Sequence, residues 1–597
     1  MKRSEAQAKY KWDFSHLYKS DQEWKNDLAN LVSLAENFQA MKGKLNQKEV
    51  FYKYLDLDNK IDKIVNKLAI YLHYGDTDTS DQRYQILEGL LMNEFRKINV
   101  ATAFVSPEIK SVGEQTITTW LTEKSEYKVY LKGMKKFFEE AKHILSEHDE
   151  ELLSKVARSL GAIGGMYDTL AYADRHDENI HYKGKDQVLT TSLMMEISED
   201  SDPINDQELR IQAAKIYRKN FSDKKHSFAS IYEGILQNST DSIRIRNYAT
   251  AIEASLNGDN IPLSIYLKLL EIGKKFIDPF KEYNLLIKDT FKMDKFYATD
   301  RQLKLVHKYN KKFTVEEAQI LIKDALQILG KEYLDNLEIA WGDNKIDYYE
   351  DTNKRDGAYS TGGAGVDPII LMNWDDKLNS VNTLAHESGH SVHTLFADQN
   401  QPYPLSQYPI ILAEVASTIN EHLLFEYLYN KANDKQEKIY LLQQRISDLM
   451  STFYRQIQFA DFEYRAHQLV EKDEPLTADI LANLFNETQI DYGYEIFDKN
   501  EDDKDAIYGW PRISHFFHSP FYVYKYAIDV TASFKLYNDI KNGNVQSTLN
   551  FLKAGGHKDP LDVMLDAGID FTKEETYMPL INGIKEYLKE LKTLLQK

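Results

Sequence analysis

The chain of 597 residues contains no cysteine. That excludes disulfides, thiolate metal ligands and a cysteine nucleophile in any fold it adopts, so a bound metal would have to be held by imidazole and carboxylate. Proline is scarce, with 13 residues, which suits long uninterrupted helices because proline breaks the helical hydrogen-bond ladder. No run reaches about 18 consecutive apolar residues, and the opening MKRSEAQAKYKWDFSHLY carries positive charge without an apolar stretch of signal length. A cytoplasmic enzyme with no membrane contact is expected. Positive charge is also in deficit: 74 Lys and Arg against 93 Asp and Glu leave a formal −19. Such a surface repels phosphate backbones and anionic lipid, so nucleic acid and membranes are poor partners.

What is present reads as an ordinary globular composition, 42% hydrophobic and 28% charged. The length suggests two to four folding units or one large two-lobed body. Helical spacing dominates the front: Ser20 or Asp21 can cap a helix carrying Trp24, Leu28, Leu31, Leu34 and Phe38. The same period marks residues 48–74, 80–100 and 117–145, and later 206–237, 262–276 and 315–329. The run Lys-Lys-Phe-Phe-Glu-Glu at 135–140 reads as a solvated helix face. DENIHYKGKDQVLTT at 177–191 turns polar and β-like, and a junction is placed near 180–205, dividing the chain into a helical domain 1–190 and a catalytic domain 191–597.

The texture changes at Ile346-Asp347-Tyr348-Tyr349 and DGAYSTGGAGVDPIILMNW, where Gly357, Gly362, Gly363 and Gly365 precede a short apolar strand, Ile369 to Trp374. A phosphate cradle is disfavoured, because no Gly-Lys-Ser/Thr ending and no βαβ rhythm follow. The glycines read instead as a mobile loop beside a strand whose exposed edge pairs with an extended peptide, with Gly362, Gly363, Ile370 and Met372 as candidate substrate-binding residues.

The organising stretch is His386-Glu387-Ser388-Gly389-His390. On one helix, beginning near Ser380 or Asn382, burying Leu384, Val392 and Leu395 and ending near Asp398, a four-residue step sets both imidazoles on the same face, where they can chelate one zinc ion. Glu387 then sits close enough to take a proton from a metal-bound water. The bare string arises by chance in roughly three chains in a hundred of this composition, so its surroundings must decide. Gly389 inside a helix costs about 1 kcal/mol relative to Ala, which hints at a close packing contact or room for another group near the metal. His393 could be a third nitrogen ligand, but at i+3 from His390 it reads better as a core or supporting histidine. Glu414 follows His390 by 24 residues, flanked by Leu412, Ala413, Val415 and Ala416. A carboxylate returning on a second helix completes a His₂Glu site, and Glu421 on the same face can orient a ligand imidazole.

HESGHSVH, the downstream AEVASTINE, the upstream GAYSTGG with PIILMNW, the C-terminal WPRISHFFHSPFYVYKYA and the opening KWDFSHLY together resemble oligoendopeptidase F, in the thimet oligopeptidase group of zinc metallopeptidases. The resemblance spans nearly the whole chain. It implies a mainly α, two-lobed, zincin-like metallopeptidase with a small β-sheet beside the active-site helix and a deep central channel, cleaving internal bonds of short peptides. By the same resemblance one zinc per chain would be held by His386, His390 and Glu414, with Glu387 as general base. His515 and one or two of Tyr522, Tyr524 and Tyr526 would donate to the oxyanion. Tyr524 is favoured, and His518 rivals His515. A zinc carboxypeptidase of similar helical architecture and a non-catalytic peptide-binding relative are the competing readings.

Overall fold

A computed structural model of the chain describes residues 2–306, 311–500 and 503–596. The front is helical as expected: α1 (Asp21–Glu36), α2 (Lys48–Leu72) and α3 (Gln82–Thr102). Ser20 caps α1 by accepting from the Glu23 amide at 3.3 Å, and Trp24, Leu28 and Leu31 are buried. Phe38 falls in the 3₁₀ turn Asn37–Met41 that follows. The period over 117–145 is not one helix but Glu114–Glu123, a 3₁₀ stretch Ser125–Tyr130 and Leu131–Glu140. The break has a tertiary cause: Tyr127 turns inward to stack on Tyr52 at 4.2 Å and donates to Asp56 at 3.0 Å. The charged 135–140 face pairs Lys135 with Glu139 at 3.7 Å, the i,i+4 geometry of a solvated helix surface.

The β-like stretch forms a hairpin, β1 (Asn179–Tyr182) and β2 (Lys185–Val188), turning through Lys183 and Gly184, both at positive φ. The expected 206–237 helix is two, α4 (Gln207–Ser222) and α5 (Lys225–Ile245). After α6 (Lys331–Ala340) come β3 (Ile346–Tyr349), β4 (Tyr359–Gly363) and β5 (Val366–Trp374), then α7 (Leu378–Asn400), α8 (Ile410–Lys431), α9 (Arg455–Glu471) and α10 (Tyr524–Lys541). Among the described residues no helix is long and apolar enough to cross a membrane.

The chain forms two compact units that interleave in sequence. The first comprises Met1–Lys142, Asn310–Tyr427 and Leu536–Gly568; the second comprises His143–Tyr309, Leu428–Lys535 and Ile569–Lys597. Each unit draws on three stretches, so compactness does not follow a single cut at residue 190.

In the first unit the sheet order is β3-β5-β4, with β3 parallel and β4 antiparallel to β5. This corrects the expected exposed edge at 369–374, because β5 is the central strand with both neighbours in place. A continuous apolar run is what a strand covered on both faces requires. Ile369 and Leu371 join the aromatic core of the N-terminal helices with Trp12, Trp24 and Tyr71. Ile370 pairs in register with Ser360, whose hydroxyl meets Ser391 on α7 at 2.8 Å, so the opposite face lies against that helix. Ile370 and Met372, 0% and 1% exposed, are therefore core residues and not a substrate surface.

Candidate active site

Helix α7 starts at Leu378, earlier than expected, and Ser380 instead tethers the preceding turn, donating to Asp375 Oδ1 at 2.7 Å and accepting from its amide at 3.1 Å. His386 and His390 project from one face as their spacing requires. His386 Nε2 lies 3.2 Å from His390 Nε2 and 3.4 Å from Glu414 Oε2, and His390 Nε2 lies 3.8 Å from the same oxygen. Among the described residues these three form the one cluster of His and carboxylate groups able to hold a metal ion. Tetrahedral zinc with bonds of about 2.0–2.1 Å sets its ligand atoms about 3.3 Å apart, so the donor triangle fits that ion with only small adjustment.

The outer atoms of both imidazoles are also engaged. His386 Nδ1 meets Glu421 Oε1 at 2.6 Å, and the His390 ring hydrogen-bonds to the backbone of Ala413. Such partners fix the tautomer that leaves Nε2 free to ligate. Helix α8 carries Ala413, Glu414 and Glu421, and its distance from α7 is set at Gly389. A Cβ there would stand 2.5 Å from Ser417 Cα and 2.8 Å from the Ala416 carbonyl oxygen. The glycine is thus a backbone-to-backbone contact, the first of the two explanations its sequence position allowed. Asn420 donates to the Ala385 carbonyl at 2.9 Å and accepts from the Tyr333 hydroxyl at 2.6 Å, locking the same pair of helices. Trp341 Nε1 donates to Ser388 Oγ at 2.8 Å from the other side.

Charge follows from this crowding. Burial would lower the pKa of His386, but hydrogen bonds to Glu414 and Glu421 outweigh it and hold the imidazole well above its ordinary value. His390, buried and facing His386, is pushed down to about 4. Burial works to raise Glu414, yet the His386 hydrogen bond and both imidazoles bring it to about 2. Glu387, 7% exposed, is pushed up to about 7 by burial first, with the Glu414 carboxylate adding to the effect. Its carboxylate accepts from the backbone amide of Ser360 on β4, so the sheet and α7 share one hydrogen bond.

His393 is buried, stacked on Tyr408 at 3.7 Å, and outside the donor cluster, as expected of a core histidine. The glycine loop is not loose: Ala364 and Gly365 amides donate to the Asp398 carboxylate at 3.0 and 3.3 Å, and Asn66 Nδ2 donates to the Gly363 carbonyl at 2.7 Å. The expected mobile loop is a hairpin turn pinned to α7, and the two edge strands of this sheet are β3 and β4, the latter carrying Gly362 and Gly363.

In the second unit, Tyr526 and Tyr522 gather around His515. The Tyr526 hydroxyl lies 3.4 Å from His515 Nε2, and the Tyr522 ring centroid lies 6.1 Å from that of His515. Tyr524, favoured from sequence, is 1% exposed and packs edge-on against Tyr266 at 5.2 Å. Positions 522 and 526 share a face across the start of α10, and 524 turns inward between them. His518 is held apart by Asp168 at 2.9 Å.

The residues missed from sequence are Ser360, Asn420, Trp341 and Tyr408. Their contributions are single tertiary hydrogen bonds or ring contacts, which leave no periodic signal. Asn420, six residues after Glu414, was nonetheless visible as a polar residue on a helix of mostly apolar composition.

The model of Peptidase family M3 matches residues 203–581, and that of Oligopeptidase F matches residues 108–176. Oligopeptidase PepF of Bacillus subtilis is 33% identical, covering 100% of this chain and 88% of its own. Group B oligopeptidase PepB of Streptococcus agalactiae is 28% identical, covering 100% and 98%. The crystal structure of oligoendopeptidase-F from Enterococcus faecium superposes with a TM-score of 0.71 at 25% identity, over 96% of this chain and 99% of that one. A crystal structure from Chlamydophila abortus superposes at 0.90 and 29%, over 99% of each. The resemblance carried by the motifs and the mainly helical architecture are both borne out. The chain belongs to peptidase family M3.

Proposed function

We propose that the chain is a zinc-dependent endopeptidase that hydrolyses internal bonds of short peptides in the cytoplasm. One observation carries the reading: three donors at tetrahedral spacing, both imidazoles locked from behind, and Glu387 beside them on the same helix. His386, His390 and Glu414 are the ligands in this proposal, and Glu421 orients His386. When bound, zinc supplies Lewis acidity and lowers the pKa of a coordinated water to about 7.

The rest is done by the chain. Glu387 accepts the proton of the attacking water and passes it to the leaving amine, a task its buried carboxylate and the Ser360 amide orient it for. The open edge of β4 hydrogen-bonds an extended substrate backbone, which explains tolerance of sequence. In this proposal oxyanion donation falls on His515 with Tyr526 and Tyr522, whose rings gather around it, in place of the buried Tyr524. The linear division into 1–190 and 191–597 is retained as a proposal about family domains, supported by matches at 108–176 and 203–581.

Mass spectrometry of products from a peptide blocked at both ends tests the specificity. Internal cuts are expected. Products only from a matched peptide with a free C-terminus would replace this reading with a carboxypeptidase, and no products from either would leave a peptide-binding protein.

A further inference from the structure

Four arginines gather at two cavities of the second unit in a protein whose total is −19. Arg218, Arg301 and Arg512 line one cavity of about 260 Å³, and Arg301 also lines an adjoining cavity of about 130 Å³ together with Arg455. Among the described residues the acids close by each hold an ion-pair partner, although the buried Oδ1 of Asp503 has none. Asp503 takes Arg218 at 2.6 Å, Asp300 takes Arg210 at 2.8 Å, and Glu199 takes Lys304 at 2.6 Å. Arg301 donates to the Tyr494 hydroxyl at 2.6 Å, and Arg455 lies over the Phe459 ring at 5.1 Å. Among the described residues no carboxylate pairs with Arg301, Arg455 or Arg512.

Crowding by protein, then repulsion from Arg512 and Arg301, holds the pKa of Arg455 below the ordinary guanidinium range, and burial followed by Arg301 does the same for Arg512. A guanidinium does not give up its proton in a protein, so an anion is the available relief. The wall also holds an unused donor, since the Thr299 hydroxyl at the larger cavity is buried without a partner.

We propose that these adjoining cavities form an anion site that takes a phosphate group through Arg301, Arg455 and Arg512. Arg512 lines the larger cavity, Arg455 the smaller and Arg301 both, and planar forks suit a tetrahedral dianion, which accepts several paired N–H bonds at once. The larger cavity leaves room beyond one phosphate, so the group can arrive free or as the monoester of a small molecule.

The test is isothermal titration of the zinc-loaded protein with inorganic phosphate and, separately, glycerol 3-phosphate, in chloride at matched ionic strength. Saturable binding is expected, weakened about tenfold or more in Arg512→Gln and in Arg455→Gln, the loss of one charge-assisted fork. Tighter binding of the monoester would make a small phosphorylated molecule the occupant, and equal or weaker binding would make it phosphate itself. Without anion, both variants should melt at or above the wild-type temperature, because each removes unmatched repulsion. Binding that is absent at millimolar phosphate, or that survives both substitutions and disappears on chelation of the metal, would overturn the proposal.

Discussion

Replacing Gly389 with Ala tests whether the spacing of α7 and α8 is what creates the metal site. Propensity alone favours the change by about 1 kcal/mol, since Gly is the poorer helix former. The structure reverses that sign. The added Cβ would stand 2.5 Å from Ser417 Cα and 2.9 Å from its amide nitrogen, and neither is a side-chain atom that can swing away. Carbon atoms rest about 3.5–4.0 Å apart, so α8 must retreat by roughly 1–1.5 Å. Overpacking of this kind costs about 1–3 kcal/mol. Because Glu414 and Glu421 ride on α8, the same displacement stretches the 3.4 and 3.8 Å donor separations and the 2.6 Å support of His386. Misplacement by about 1 Å can cost a hundredfold in rate. Expected outcomes are a lower melting temperature, zinc lost to a weaker chelator than wild type requires, and peptide turnover reduced about a hundredfold. An alanine variant that keeps wild-type zinc affinity and turnover would refute the close-contact reading.

Substituting Glu421 by Ala should lower zinc affinity by about 10–100-fold in chelator competition, since His386 loses its outer partner; unchanged affinity would show that Glu421 plays no part. Tyr526→Phe should cost about a hundredfold or more in kcat while Tyr524→Phe leaves it nearly unchanged, and the reverse ranking would restore the assignment made from sequence. Glu463, buried on α9 and accepting from the Phe521 amide at 2.8 Å, is pushed up to about 8 by burial. The folded chain then holds a proton that the unfolded chain releases near pH 4.5, so this contribution to stability is complete below about 4.5 and is lost as pH rises towards 8. Glu463→Gln keeps the acceptor, so its stability advantage over wild type should grow from pH 5 to pH 9 to a few kcal/mol in urea unfolding; a gap independent of pH would contradict the shift.

The candidate cluster was legible because it is written in spacing: His386, His390 and Glu387 sit where a 3.6-residue period puts them, and Glu414 and Glu421 repeat the device on a second helix. Gly389 was legible for the complementary reason, as a residue a helix does not want. Strand β5 was misread because a four-residue apolar run is compatible with an edge or a centre, and only the partner strands decide. A central position would have followed from giving weight to its lack of alternation. Tyr524 was favoured from sequence yet lies buried against Tyr266, because the face of a helix depends on where it starts, and three tyrosines at alternate positions leave that open. The breaks within 117–145 and 206–237 were hidden because tertiary anchors such as Tyr127 override a continuous helical period.

The most direct measurement pairs metal content with turnover in the Glu387→Gln variant. One zinc per chain is expected in both wild type and variant, with turnover of an internally quenched peptide falling about a hundredfold or more in the variant. Near-normal turnover by a zinc-loaded Glu387→Gln protein would contradict the role given to this carboxylate, and no zinc in the wild type would contradict the site itself.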